Sequence, residues 1–459
     1  MGAALACLLS VGSLAVAAPY AQADGTGAAQ ATITPAASRT SVSLTAQWFA
    51  TVDDTRRASL RERLTHAAET DHAARFGLGA VQFFSTLETF ALAMNRHGLE
   101  APRGLFALGV VDPAGANTSR GPVEPITHAL FREHLERLHA GLEEAATTLA
   151  TVDRAATLSI PIDLGQARVR LAENGEGETL LALARRFNLL APTPRPGQRN
   201  VQAPAPVQMT ALPFTFDTAD AVWLQGYANV VMAQLDFALA HDFERLFEQT
   251  FHVLFPRAGL AVGRQLTPPE RLSRGPFDAN QFLDAVAMLH LMDFAVIDPP
   301  RRARTRERLL EVVRLSRENW ALIEGETDAE REWLPGPQQG NAHPVPGVAV
   351  SQAEVDAWRA SLDLFEAILE GEVLLPHPRF DGTFDALAGA PGARTVPGRG
   401  VNLRRLLESS EPFDVVLYVT GHGALPFMEE GRVAGGAQWR AARSAFGQRG
   451  LLGTAIWFN

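Results

Sequence analysis

The run Asp217-Thr218-Ala219-Asp220-Ala221-Val222-Trp223-Leu224-Gln225-Gly226-Tyr227-Ala228-Asn229-Val230-Val231-Met232-Ala233-Gln234-Leu235-Asp236-Phe237-Ala238-Leu239-Ala240-His241-Asp242, continuing to Phe255-Pro256, decides how this chain folds. Asp217 or Asp220 can cap a helix, Pro256 stops it, and Gly226 is the point where it can bend or break. The first half is apolar nearly all round, the pattern of a helix buried on every side. Trp223, Tyr227, Val230, Gln234, Phe237, His241, Arg245, Glu248 and His252 fall within about 40° of one line at helical spacing.

A buried Gln or His on such a line must find a partner. In one reading His241, Glu248 and His252 hold a divalent metal, the one cofactor the pattern suggests. In that reading His241 with Asp242 can also form a general-base pair, and His290 and Asp293 on the next apolar segment complete the set. Trp223, Tyr227, Gln234, His241 and Asp242 are then the candidate binding residues. In the other reading the histidines are core groups satisfied by neighbours, and Arg245 with Glu248 is a helix-face ion pair.

Helical periodicity recurs on both sides. Upstream, helices are predicted over about 53–75, 79–97 and 127–151, the last with Phe131, Leu135, Leu138, Leu142 and Leu149 in register. Downstream they are predicted over 280–297, 302–323 and 352–369. Leu158, Ile160, Ile162 and Leu164 alternate, as do Val169 and Leu171 beyond Gly165, which predicts a short hairpin. The apolar run Phe413–Val419 predicts a buried strand, with Thr454–Phe458 as its partner. The fold class is therefore mainly α, a multi-helical two-lobed protein with a small C-terminal β element. Residues 191–213 hold six prolines and mark the expected link between a lobe over 46–190 and a lobe over 214–459.

The N-terminus says where the protein goes. From Ala3 to Ala18 the chain is apolar, and Ala21-Gln22-Ala23 is a small-x-small cleavage site, so residues 1–23 read as a secretory signal peptide. Export to a periplasm or the medium follows. Residues 24–45, rich in Ala, Thr, Gly and Ser, read as a flexible spacer, with structure beginning near Leu44. The single cysteine, Cys7, lies in the leader, so the mature chain forms no disulfide. Every one of the 41 basic residues is arginine, and net charge is −10 with the two signs interspersed. That pattern leaves no footprint for nucleic acid, and no integral membrane segment is expected in the mature chain.

Other short motifs weaken on inspection. Val419-Thr420-Gly421-His422-Gly423 resembles the histidine motif of caspase-like cysteine proteases, but no cysteine follows Cys7, so thiolate chemistry is excluded. Two Glu-x-x-His sequences, Glu69–His72 and Glu136–His139, carry the spacing of di-iron bundles. Both point away from the apolar stripes of their helices, toward solvent or the flank. Glu173–Glu178 has the look of a calcium loop, yet its register puts Ala172 and Leu183 at the first and twelfth ligand positions, leaving a hairpin turn. No zinc-protease, nucleophile-elbow, Walker or dinucleotide signature is present.

Ala221–Tyr227, Leu239–Asp242, Gly400–Arg405 and Ala455–Asn459 resemble segments of a family of uncharacterised exported bacterial proteins with no assigned activity. The resemblance implies kinship and export, and no mechanism. The expectation is a non-enzymatic binding or structural protein of the cell envelope. The alternative is a metal-assisted hydrolase built on the helix after Asp220.

Overall fold

The computed structural model describes residues 36–100, 122–172, 177–186, 210–266, 279–340, 342–345, 348–381 and 397–435. The signal peptide, most of the Pro-rich stretch and Thr454–Phe458 lie outside them. The main helices are α1 Ala36–Phe49, α2 Asp54–Ala67, α3 His72–Arg96, α4 His128–Ala150, α5 Thr218–Leu239, α6 Glu244–Thr250, α7 Ala279–His290, α8 Pro299–Gly325, α9 Gln352–Leu369, α10 Leu403–Glu408 and α11 Val415–Val419. Among the described residues, strands form four antiparallel pairs, β1 Ile160–Asp163 with β4 Pro213–Phe216, β2 Arg168–Val169 with β3 Glu178–Thr179, β5 Asp293–Phe294 with β7 Phe413–Asp414, and β6 Pro397–Val401 with β8 Met428–Arg432. The protein is mainly α with a small β element, as its periodicity predicts.

α5 is the axis. Asp217 caps it in a full capping box, accepting from the Ala219 and Asp220 amides while Asp220 accepts from the Asp217 amide. It lies between α4 and α8, with α3 packed on α4 and with α1 and α2 on α3. Of its 22 residues nearly all are buried, which is why its sequence shows no polar face. Leu44, Leu149, Tyr227, Trp320 and Leu362 belong to one continuous core, so both flanks of the Pro-rich stretch feed the same interior. A smaller cluster, Leu369, Val401, Leu406, Leu407, Ala424 and Phe427, closes the C-terminal β element.

Several local expectations are corrected. The spacer predicted over 24–45 is helical from Ala36 onward, with Ser41 and Leu44 already buried. The 217–255 helix ends at Leu239, because the Arg132 guanidinium takes the Leu239 and His241 carbonyls and residues 240–242 turn to pair with 295–298. Gly226 neither bends nor breaks it. The apolar 280–297 segment is helical only to His290. β1 does not form a hairpin with the Val169 strand; it pairs with β4 across the Pro-rich stretch, Ile160 opposite Phe216 and Ile162 opposite Phe214. In Phe413–Val419 only two residues are strand, since Asp414 caps the Leu417 amide and starts a helical turn.

α3 is long and apolar enough to span a bilayer, yet Phe76, Val81, Phe83 and Met94 are buried in this core. Its contact with α4 is close. A Cβ at Gly79 would sit 2.6 Å from Leu149 Cγ, and one at Gly141 would sit 2.4 Å from Thr86 Oγ1. Leu149 is fully buried and has nowhere to move. In an exposed helix Gly→Ala stabilises by about 0.5–1 kcal/mol, whereas Gly79→Ala is expected to destabilise this protein by about 1–3 kcal/mol through overpacking, read from denaturant midpoints.

Candidate functional site

The break after Leu239 scatters the metal ligands expected on one helical line. His241 is fully buried, its Nδ1–H donating to the Phe237 carbonyl at 2.6 Å and its ring packed among Phe237, Phe294 and Phe413. Asp242 is exposed and caps α6 through the Glu244 amide rather than orienting His241. Glu248 faces solvent on α6. His252 is buried, with Nε2 3.3 Å from Asp284 Oδ1. His290 and Asp293 are exposed. The ligand atoms of His241, Glu248 and His252 do not converge, so the metal set read from spacing is not assembled. Trp223 and Tyr227 stack on each other at 5.6 Å, with Trp333 edge-on to Trp223, and serve the core. Gln234 leaves a buried carbonyl oxygen without a partner.

The carboxylates gather at the other end of α5. Asp217 and Asp220 stand at its first turn, Glu326 caps the C-terminus of α8, and Glu332 follows in the next loop. Oxygens of Asp217, Glu326 and Glu332 all lie within 4.8 Å of one another. Neutral groups hold them in place. The Ala219 and Asp220 amides donate to Asp217, the Glu330 amide to Glu332, and Gln339 Nε2 to Glu326 at 2.8 Å. The Thr215 amide donates to the Arg331 carbonyl and the Glu332 amide to that of Ala342, fixing the loop, in which Arg331 adopts a left-handed φ of 63°.

No ion pair among the described residues reaches these carboxylates, although arginine partners most other buried acids of the chain. Without a counter-cation their affinity for protons rises. Burial, then Asp217, pushes the Glu326 carboxyl up to about 10, and burial with Asp217 and Asp328 pushes Glu332 up to about 7. Burial and the Asp217 charge drive Asp220 well above the usual range. Such a set has two ways to relieve its repulsion, shared protons or one cation. A calcium ion with Ca–O near 2.4 Å spans oxygens up to about 4.8 Å apart.

Reading the sequence for metal ligands missed this group because Asp217 and Asp220 read as caps. The one visible signal is the alternation Glu324, Glu326, Asp328, Glu330, Glu332, a pattern that usually marks a solvated segment. The Glu136–His139 pair also differs from expectation. His139 is buried, with Nε2 3.1 Å from Asp236, and Glu136 grips Arg301. Helices α5 and α8 approach there, covering the flank that seemed free.

Raised carboxyl pKa values tighten proton binding in the folded state. The stability they lend is full at acid pH and is lost as pH climbs through about 7, where Glu332 ionises. In chelator, the melting temperature is expected to fall from about pH 4.5 to about pH 7 as the Glu332 contribution is lost, and to go on falling more gently above it while Glu326 keeps its proton. Glu332→Gln is expected to flatten that slope and to raise the melting temperature at the upper end by roughly 2–4 °C, measured by scanning fluorimetry.

Compared with protein-family models, curated proteins and solved structures, the chain matches none.

Proposed function

We propose that this chain is a non-enzymatic binding protein of the bacterial cell envelope that holds a hard divalent cation, calcium first, between Asp217, Glu326 and Glu332. The observation that carries the reading is the convergence of three carboxylates within the span of one calcium ion, with no arginine among the described residues to neutralise them. An all-oxygen donor set favours calcium, magnesium or manganese over zinc or copper. The site sits where the start of α5 meets the end of α8 and the loop that follows it, so a bound cation ties two stretches about a hundred residues apart in sequence. That is a structural and binding role. An exported protein meets calcium at concentrations that suit extracellular sites, whose dissociation constants are about 10⁻⁴–10⁻³ M. Export, and kinship with other exported bacterial proteins, belong to the same proposal and rest on the leader and the segments quoted above.

The test is calorimetric titration of chelator-treated protein with calcium and magnesium, alongside melting curves. About one equivalent of calcium is expected to bind in preference to magnesium. At a hundredfold excess over the dissociation constant, stability should rise by about 2.7 kcal/mol. Glu326→Gln and Glu332→Gln should each abolish the response, while His241→Ala should retain it. A wild-type protein that ignores calcium, or carboxylate variants that respond like wild type, would leave the group as a proton store and overturn the reading.

A further inference from the structure

The opposite end of the α5–α8 pair carries a charge of the other sign. Arg302, in the first turn of α8, is fully buried and has no carboxylate partner among the described residues. Its Nη1 donates to the Ser409 and Glu411 carbonyls at 3.0 and 2.7 Å. Among the described residues Nε and Nη2 have no acceptor other than the Tyr418 hydroxyl, which faces the guanidinium. Those two nitrogens form one edge of the planar guanidinium, and their N–H bonds point the same way as a two-pronged fork.

Three more polar atoms beside it are buried, with no partner among the described residues other than the guanidinium itself. Thr305 Oγ1 lies one turn along the same face of α8, the Tyr418 hydroxyl faces the guanidinium, and His241, which feels the Arg302 charge, presents Nε2. Because Nδ1 of His241 donates to Phe237, Nε2 carries the lone pair and accepts. Phe237 and Phe413 wall the group.

Native interiors seldom leave even one such donor unmade, and an arginine cannot shed its proton to escape the cost. Here two guanidinium N–H groups, two hydroxyls and an imidazole acceptor stand together with no partner among the described residues except one another. We propose that this is a binding site for a small carboxylate that also carries a hydrogen-bond donor, such as a hydroxy acid. Its two oxygens lie on the Arg302 fork, the Tyr418 and Thr305 hydroxyls bind its flank, and its own donor meets His241 Nε2. The site is independent of the acidic group at the far end of α5.

Arg302 also supports the 409–411 backbone, so replacing it alone could cost the fold. The experiment therefore uses the full protein with Tyr418→Phe and Thr305→Val, each of which removes one hydroxyl. The probes are lactate, acetate, sulfate, phosphate and chloride at matched ionic strength. Two signals are followed, saturable melting-temperature shifts and the Arg302 Nε–H resonance, assigned through loss of its cross-peak in Arg302→Lys. Lactate is expected to saturate, to move that resonance, and to bind more tightly than acetate. Each hydroxyl deletion should weaken it by roughly 5–10-fold, as the loss of one hydrogen bond of about 1 kcal/mol or slightly more requires. Three outcomes overturn the proposal. In the first, no anion exceeds chloride, which assigns the edge to water. In the second, sulfate or phosphate binds and carboxylates do not. In the third, lactate binds with equal strength to wild type and both variants.

Discussion

The structure depends on the pairing of Asp236 with Arg301. Asp236 is fully buried in the last turn of α5, and Arg301 Nε donates to it at 3.0 Å from the first turn of α8, while His139 of α4 approaches the same oxygen at 3.1 Å. Burial alone would raise the Asp236 carboxyl, and the contacts from His139 and Arg301 overcome it and hold the group below its ordinary range. The other edge of Arg301 grips both oxygens of Glu136 on α4, at 2.6 and 2.8 Å. One carboxylate and one guanidinium thus fix the mutual register of three central helices. Apolar packing would tolerate a sliding fit, whereas a buried charge that loses its partner costs about 3–5 kcal/mol.

An interior built this way uses arginine where other proteins divide the task between arginine and lysine. The chain has no lysine, so no buried cation can respond to its surroundings by losing a proton. Every internal positive charge must be met by geometry. Arg57 meets Glu88, Arg154 meets Glu318, Arg301 meets Asp236 and Glu136. Two places depart from this rule in opposite senses. Among the described residues, the carboxylates near Glu326 have no arginine and the Arg302 guanidinium has no carboxylate.

The sequence made the long helices legible because each carries a cap and a period. α9 falls on its predicted span, 352–369, from the Ser351–Glu354 capping box onward, and α3, α4 and α8 lie within a few residues of theirs apart from the early start of α3. The centre of α5 was legible from its lack of a polar face. Its end was not. Ala240-His241-Asp242 continues the helical pattern, and what stops it is Arg132, a residue more than a hundred positions upstream taking the last carbonyls. The candidate site followed from that one event. Ligands spaced for a single helix were dispersed once the helix ended, and His241 came to lie among Phe237, Phe294 and Phe413 near Arg302. The acidic group joins positions about a hundred residues apart through a loop whose path is set by Thr215 and Ala342, information that periodicity does not carry. Val415–Val419 departs from a strand for a local reason, since β-branched residues form a helical turn when Asp414 offers a cap, and among the described residues the pairing ends at Asp293–Phe294.

Because the start of α5 meets the end of α8, and the end of α5 meets the start of α8, the two helices run antiparallel over roughly 30 Å. An axial slip of one helix by a single turn, about 5.4 Å, would pull Asp217 from Glu326 and Asp236 from Arg301 in the same movement. The pair behaves as a ruler read at both ends, on which neither mark can shift without the other.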